Sequence, residues 1–204
     1  MKTRDEAMAL LREYTQSESL IKHALGVEAA MRWHAEKNAL PAEDVEMWGI
    51  TGLLHDFDYE QFPNPTAPDG HPYKGNMILE ELGYAEEIRI AIMGHALYTD
   101  TPRDTLMAKT LFAVDEMSGL ITAAVLVRPD KSIYELGVKS VKKKFKDKAF
   151  ARGCNRDEMR LAAEELGIEL DAHIENMIEA LRGAAEELGL AGVVSLGGPV
   201  TASA

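Results

Sequence analysis

Gly52-Leu53-Leu54-His55-Asp56 is the stretch on which the reading of this chain turns. Its first three residues finish an apolar helix that the sequence predicts from Glu43 to Leu54, opened after Pro41. The last two put an imidazole beside a carboxylate where that helix runs into Phe57 to Gly70, a stretch whose Pro63, Pro65, Pro68 and Gly70 force an irregular loop. Adjacent helical side chains point about 100° apart, so His55 and Asp56 can serve one centre only near a helix end, where the backbone turns away. A buried aspartate there is costly unless a cation or several donors satisfy it. A carboxylate, unlike an imidazole, can also join two ions.

Helical signals extend in both directions. Thr3 and Glu6 form a capping-box pattern for a helix from Thr3 to Gln16, with Ala7, Leu10, Leu11 and Tyr14 on one face. Ser17 or Ser19 caps a second helix, to about Asn38. Downstream, His71-Pro72 opens a helix to Leu82 that Gly83 stops. Glu86 to Ala96 and Asp104 to Val127 follow, each strongly apolar on one side. After Pro129 the pattern turns amphipathic and charged, predicting helices at Ser132 to Lys146, Arg156 to Leu166 and Asp171 to Leu188. Alternating runs typical of strands are scarce. The expected class is all-α, one domain over residues 1–190, with a mobile tail from Ala191 to Ala204 where small residues lack periodicity.

Four of the six histidines and two aspartates lie on apolar helical faces or at helix ends bordering the loop. His23 shares a face with Leu20, Val27 and Ala30 and points inward, as a core histidine or as a ligand. His34 falls on nearly the same face but about 16 Å further along the axis, and reads as a packing or surface residue. His71 follows the Pro-rich loop, as an exposed loop histidine or as a group reaching into a cleft. His95 has Ile88, Ala91 and Ile92 behind it on the buried stripe. Asp115, in Leu111-Phe112-Ala113-Val114-Asp115, would protonate or cost several kcal/mol if unpaired. A cation satisfies it, or a buried salt bridge with Lys109 or an arginine.

Composition narrows the chemistry. A single cysteine, Cys154, excludes an internal disulfide and a thiolate cluster, so a metal site must rest on imidazole and carboxylate. A net charge of -12 argues against nucleic acid and for a small substrate. The longest largely apolar stretch, Ile121 to Val127, falls far short of the roughly 20 residues that cross a bilayer. The charged start, Met1 to Glu6, is not followed by an apolar block, so a cytoplasmic location is expected. Met31, Met93, Met107 and Met117 read as core filler. Lys142 to Lys146 read as a solvated helical face, with a phosphate contact across the cleft as the alternative.

In order and spacing, His23, His55-Asp56, His71, His95 and Asp115 make the sequence resemble the HD superfamily of metal-dependent phosphohydrolases over about residues 17–127. The added His71 and His95 resemble its six-ligand, dinuclear branch. The resemblance implies a helical bundle, here with additional C-terminal helices, and two divalent ions. His23, His55 and Asp115 would hold one ion, His71 and His95 the other, with Asp56 bridging. Phe57-Asp58-Tyr59 after the His-Asp pair departs from the Ile-Gly-Lys common in many members, which leaves the substrate open.

The implied activity is hydrolysis of a nucleotide or other small phosphate ester by a metal-activated hydroxide. Two divalent ions, two aspartates and a bridging hydroxide leave a local charge of about +1, enough to hold a phosphate in an acidic protein. Fe or Mn is favoured by the resemblance; Zn, Ni and Co suit the same ligands. Asp56 and Asp58 are the expected catalytic residues, Asp58 by orienting water or a ligand's imidazole, and Lys74 is the expected phosphate contact. Two other readings stay open: a di-iron oxygenase of the same architecture, and a non-catalytic nucleotide- or metal-binding module. The amphipathic C-terminal helices offer surfaces for a homodimer.

Overall fold

The computed structural model describes residues 2–65 and 67–192, which form ten α-helices and one short 3-10 turn, with no strand among the described residues. α1 (Arg4–Tyr14) begins as its sequence dictates, with the Glu6 N–H donating to the Thr3 side chain and the Thr3 N–H donating to the Glu6 carboxylate. α2 (Glu18–Lys37) follows Ser17, and α3 (Ala42–Leu54) follows Pro41. These two helices press together because Gly52 has no side chain. A Cβ there would lie 2.9 Å from both the Met31 side chain and the Val27 carbonyl oxygen, which leaves little room for a methyl group.

α4 (Tyr73–Glu81) and α5 (Glu86–His95) pack on one another, and α6 (Leu106–Leu126) runs through the middle. Leu111, Val114, Met117, Leu120, Ile121 and Val125 are all fully enclosed, and a helix apolar around most of its circumference is a core helix. It touches α2 and α5 on one side. On the other it meets α7 (Val138–Lys146), α8 (Arg156–Glu165) and α9 (Leu170–Gly183), with α10 (Ala185–Leu188) closing onto α2. No described helix is long and apolar enough to cross a membrane.

The all-α reading and most helix positions hold. Three boundaries differ. Pro72 precedes α4 instead of entering its first turn, and the His71–Pro72 peptide is cis. The helix expected from Ser132 starts only at Val138. Ser132 pairs as an isolated antiparallel bridge with Ala191, the Ile133 N–H donates to the Leu190 carbonyl, and Gly137 is extended. The helix expected from Asp171 to Leu188 breaks at Ala184, whose backbone leaves helical geometry. Of the expected mobile tail, Ala191 is held in that bridge, while residues 193–204 lie outside the described residues. Met31, Met107 and Met117 are core as expected, whereas Met93 is only half-buried.

Candidate metal centre

Four helix ends or helix faces and the end of one loop bring the six singled-out side chains to one place. His23 comes from the N-terminal half of α2, His55 and Asp56 from the end of α3, His95 from the last position of α5, and Asp115 from the middle of α6. His71 precedes α4, at the close of the proline-rich loop. That loop is anchored by the α1–α2 junction: the Thr15 hydroxyl donates to the Phe57 carbonyl, and the Gln16 and Ser17 N–H groups donate to Glu60.

The contacts fall into two groups that share Asp56. One oxygen, Oδ2, lies 3.6 Å from His55 Nε2 and 4.0 Å from His23 Nε2. The other, Oδ1, lies 3.2 Å from His71 Nε2 and 3.4 Å from His95 Nε2. Asp115 Oδ1 completes the first group, 3.0 Å from His23 and 3.5 Å from His55. His23, His55 and Asp56 form one constellation able to hold a metal ion, and Asp56, His71 and His95 form another.

The rings are oriented from behind. His55 Nδ1 faces the Gly52 carbonyl at 2.7 Å, and His95 Nδ1 faces the Ile92 carbonyl. A carbonyl only accepts, so each Nδ1 is the donor and the neutral ring presents a bare Nε2 lone pair to the centre. His71 Nδ1 faces Asp58 Oδ1 at 2.7 Å, which fixes the same tautomer. Bare nitrogens of His71 and His95 therefore oppose one another at 3.3 Å, and that of His55 faces His23 Nε2 at 3.2 Å, with carboxylate oxygens alongside. A cluster of acceptors needs shared cations, so the donor set fits divalent metals.

Without them, protons fill that role. Burial disfavours a charged His71, yet the Asp56 and Asp58 carboxylates outweigh it and push its pKa up to about 9. Burial likewise opposes ionisation of Asp56, but His55, His71 and His95 hold its carboxyl well below the usual range. The same contest, won by His23 and His55, lowers Asp115. Asp115 thus pairs with imidazoles, and the alternative of a salt bridge to Lys109 or an arginine falls. His71 is buried and not an exposed loop residue.

Asp58 is 1 % exposed, and its second oxygen accepts from the Gly75 N–H at 2.7 Å. The contact to His71 fits the expected role of orienting an imidazole, with the Gly75 N–H holding the second oxygen. The Lys74 ammonium lies over the Phe62 ring, 6.0 Å from its centroid, and makes no ion pair among the described residues. Lys142 pairs with Asp171, and Lys144 lies over Phe150. His34 is buried against Trp33, and His173 Nε2–H donates to the Ala113 carbonyl at 2.8 Å. Burial pulls both of these histidines down to about 4.

Four neighbours carry no signal in the sequence. Burial first, and the Asp115 charge next, push the Glu116 carboxyl up to about 7, while one of its oxygens accepts from the Asn155 N–H at 3.0 Å. Tyr98 donates to the His71 carbonyl at 2.9 Å, and the Tyr59 ring meets the His71 ring edge-on. Arg103 grips Glu165 with two nitrogens and the Gly94 carbonyl with a third, fixing the end of α5 that carries His95. Nothing in the local sequence distinguishes these residues from ordinary surface ones, because each acquires its role from a partner distant in the chain.

An all-α bundle whose helices converge on histidines and aspartates defines the class. Residues 20–120 match the family model described as the HD domain, and the span includes all six side chains. This match supports assigning the chain to the HD superfamily, whose domains bind divalent metals and which generally includes metal-dependent hydrolases. No curated protein and no solved structure matches the chain.

Proposed function

We propose that this protein is a phosphohydrolase that works with two divalent ions on a nucleotide or another small phosphate ester. The observation that carries the reading is the divided environment of Asp56: one oxygen faces His55 and His23, the other faces His71 and His95. In this reading Asp56 bridges, Asp115 belongs with His23 and His55, and Fe or Mn is the preferred metal. When bound, such a pair supplies Lewis acidity toward phosphoryl oxygens and an acidified water.

The protein's own groups do the rest. The Nδ1 contacts of His55, His71 and His95 keep their lone pairs aimed inward, which spares the site reorganisation during turnover. His23, Asp56 and Asp115 side chains are each about one-fifth exposed while His55 is fully enclosed, so the centre opens to solvent on their side. Glu116, beside Asp115 with its carboxyl pushed up to about 7 by burial, is protonated in about half of the metal-free molecules at neutral pH.

The test is an anaerobic assay of Mn- or Fe-loaded protein against a panel of nucleotides and simple phosphate esters. Phosphate release without oxygen is expected. Strict dependence on oxygen would replace this reading with an oxygenase, and tight nucleotide binding without turnover would replace it with a binding module.

Metal uptake should also be proton-linked. His71 keeps its proton up to about pH 9 in the metal-free chain, and an ion needs the Nε2 lone pair, so binding expels that proton. Apparent affinity should rise about tenfold per pH unit for each proton expelled and level off above about 9. In the metal-free fold the raised pKa contributes stability fully below the ordinary value of 6.5, and that contribution is lost as pH climbs through about 9. Proton release during metal titration near pH 7, followed in buffers of different ionisation enthalpy, measures the effect; uptake with no proton release would contradict it.

A further inference from the structure

His23 faces two ways. Its Nε2 belongs to the cluster, and its ring also lines a cavity of about 320 Å³ between the start of α2 and the C-terminal half of α6. That volume is at the lower end of the range for small-ligand sites. On α6 the wall continues from Asp115 along one stripe, through Gly119 and Ala123 to Leu126, at offsets that keep one helical face. At about 1.5 Å per residue this stripe leads roughly 16 Å away from the cluster. Leu188 and Leu190 close the far side.

The chemistry of the walls is one-sided. The lining is mainly aliphatic and small side chains, with the Ser19 and Thr122 hydroxyls, no aromatic ring other than the His23 imidazole and no carboxylate or carboxamide. A nucleobase would find no stacking partner other than that ring, and only two hydroxyl side chains to meet its polar edge. Lys22 is the one cation of the lining, exposed, with its ammonium across the Gly189 turn and no ion pair among the described residues. The groove adjoins the centre at His23, one of the three cluster side chains that are about one-fifth exposed.

We infer that this groove seats an aliphatic arm of the substrate, so that the preferred phosphate ester is that of an apolar alcohol. The inference rests on the proposed function, because the phosphate end is taken to sit at the metal centre. Burial of each methylene should tighten binding about three- to fourfold until the groove is full.

The probes are inorganic phosphate and alkylphosphonates from methyl to octyl, which have no ester bond to hydrolyse, titrated into the full-length Mn-loaded protein. Stepwise tightening with chain length is expected, together with loss of that dependence in Ala123→Phe, whose ring occupies the groove, while methylphosphonate affinity and metal content stay at the wild-type level. Leu126→Ala, at a half-exposed position, provides a second variant that should lessen the dependence without a folding burden. Affinity independent of chain length, including the case in which residues beyond Gly192 fill the groove, would overturn the inference and leave the metal-centred reading intact. Failure of phosphate and methylphosphonate alike to bind the metal-loaded protein would remove that reading and the inference with it.

Discussion

Asp56→Ala is expected to abolish binding of both ions, because it removes the one group whose oxygens serve both constellations. Oδ2 lies against His55 and His23, and Oδ1 against His71 and His95. Alanine leaves His71 and His95, 3.3 Å apart, without the Asp56 carboxylate, and leaves His23 and His55, 3.2 Å apart, with Asp115 as their remaining carboxylate. The loss should exceed the roughly 10- to 100-fold that removal of an outer partner brings, and phosphate release should disappear with it. His34→Ala is the matched control. His34 sits on the same helix, about 16 Å further along from His23, with its ring packed on Trp33. Its truncation should cost about 2 kcal/mol or more in stability, as large-to-small core changes do, and leave the metal content unaltered. Elemental analysis of the two purified variants, with a melting curve for each, separates the outcomes. Equal metal content in both would remove Asp56 from the centre.

Why the sequence disclosed the cluster but not its surroundings follows from what periodicity can register. His23, His95 and Asp115 each stand on a stripe whose other members are apolar, so their inward direction is legible from spacing alone. The α1 cap is equally local, since Thr3 and Glu6 satisfy one another within a single turn. The segment from Ser132 misleads for the same reason. Ile133 and Leu136 have helical spacing and are both buried, yet they turn inward from a non-helical stretch held by Leu190 and by Arg182, which donates to the Tyr134 and Leu136 carbonyls. Glu116 is the converse case: next to a buried aspartate it reads as the solvated neighbour, and only the arrival of Asn155 shields it. Contacts between remote segments leave no periodic trace.

Asp58 joins the fold to the chemistry, and its replacement by Asn should affect only one half of the centre. Its two oxygens accept from His71 Nδ1 and from the Gly75 N–H, each at 2.7 Å. An amide can satisfy one of these donors but must present its own NH2 to the other. If the NH2 faces Gly75, two donors collide. If it faces His71, the imidazole must accept at Nδ1 and carry its proton on Nε2, where it points at Asp56 and blocks an ion. Either arrangement should weaken the ion held by His71 and His95 by about 10- to 100-fold, while the one held by His23, His55 and Asp115 keeps its ligands. Gly75→Ala reaches the same strut by a steric route, because a Cβ at that position would lie 2.7 Å from the Asp58 carboxyl carbon. Metal titration of both variants should therefore resolve a tight site and a weakened one, in contrast to the loss of both in Asp56→Ala. Two ions bound with wild-type affinity in Asp58→Asn would show that His71 is oriented by something other than this carboxylate.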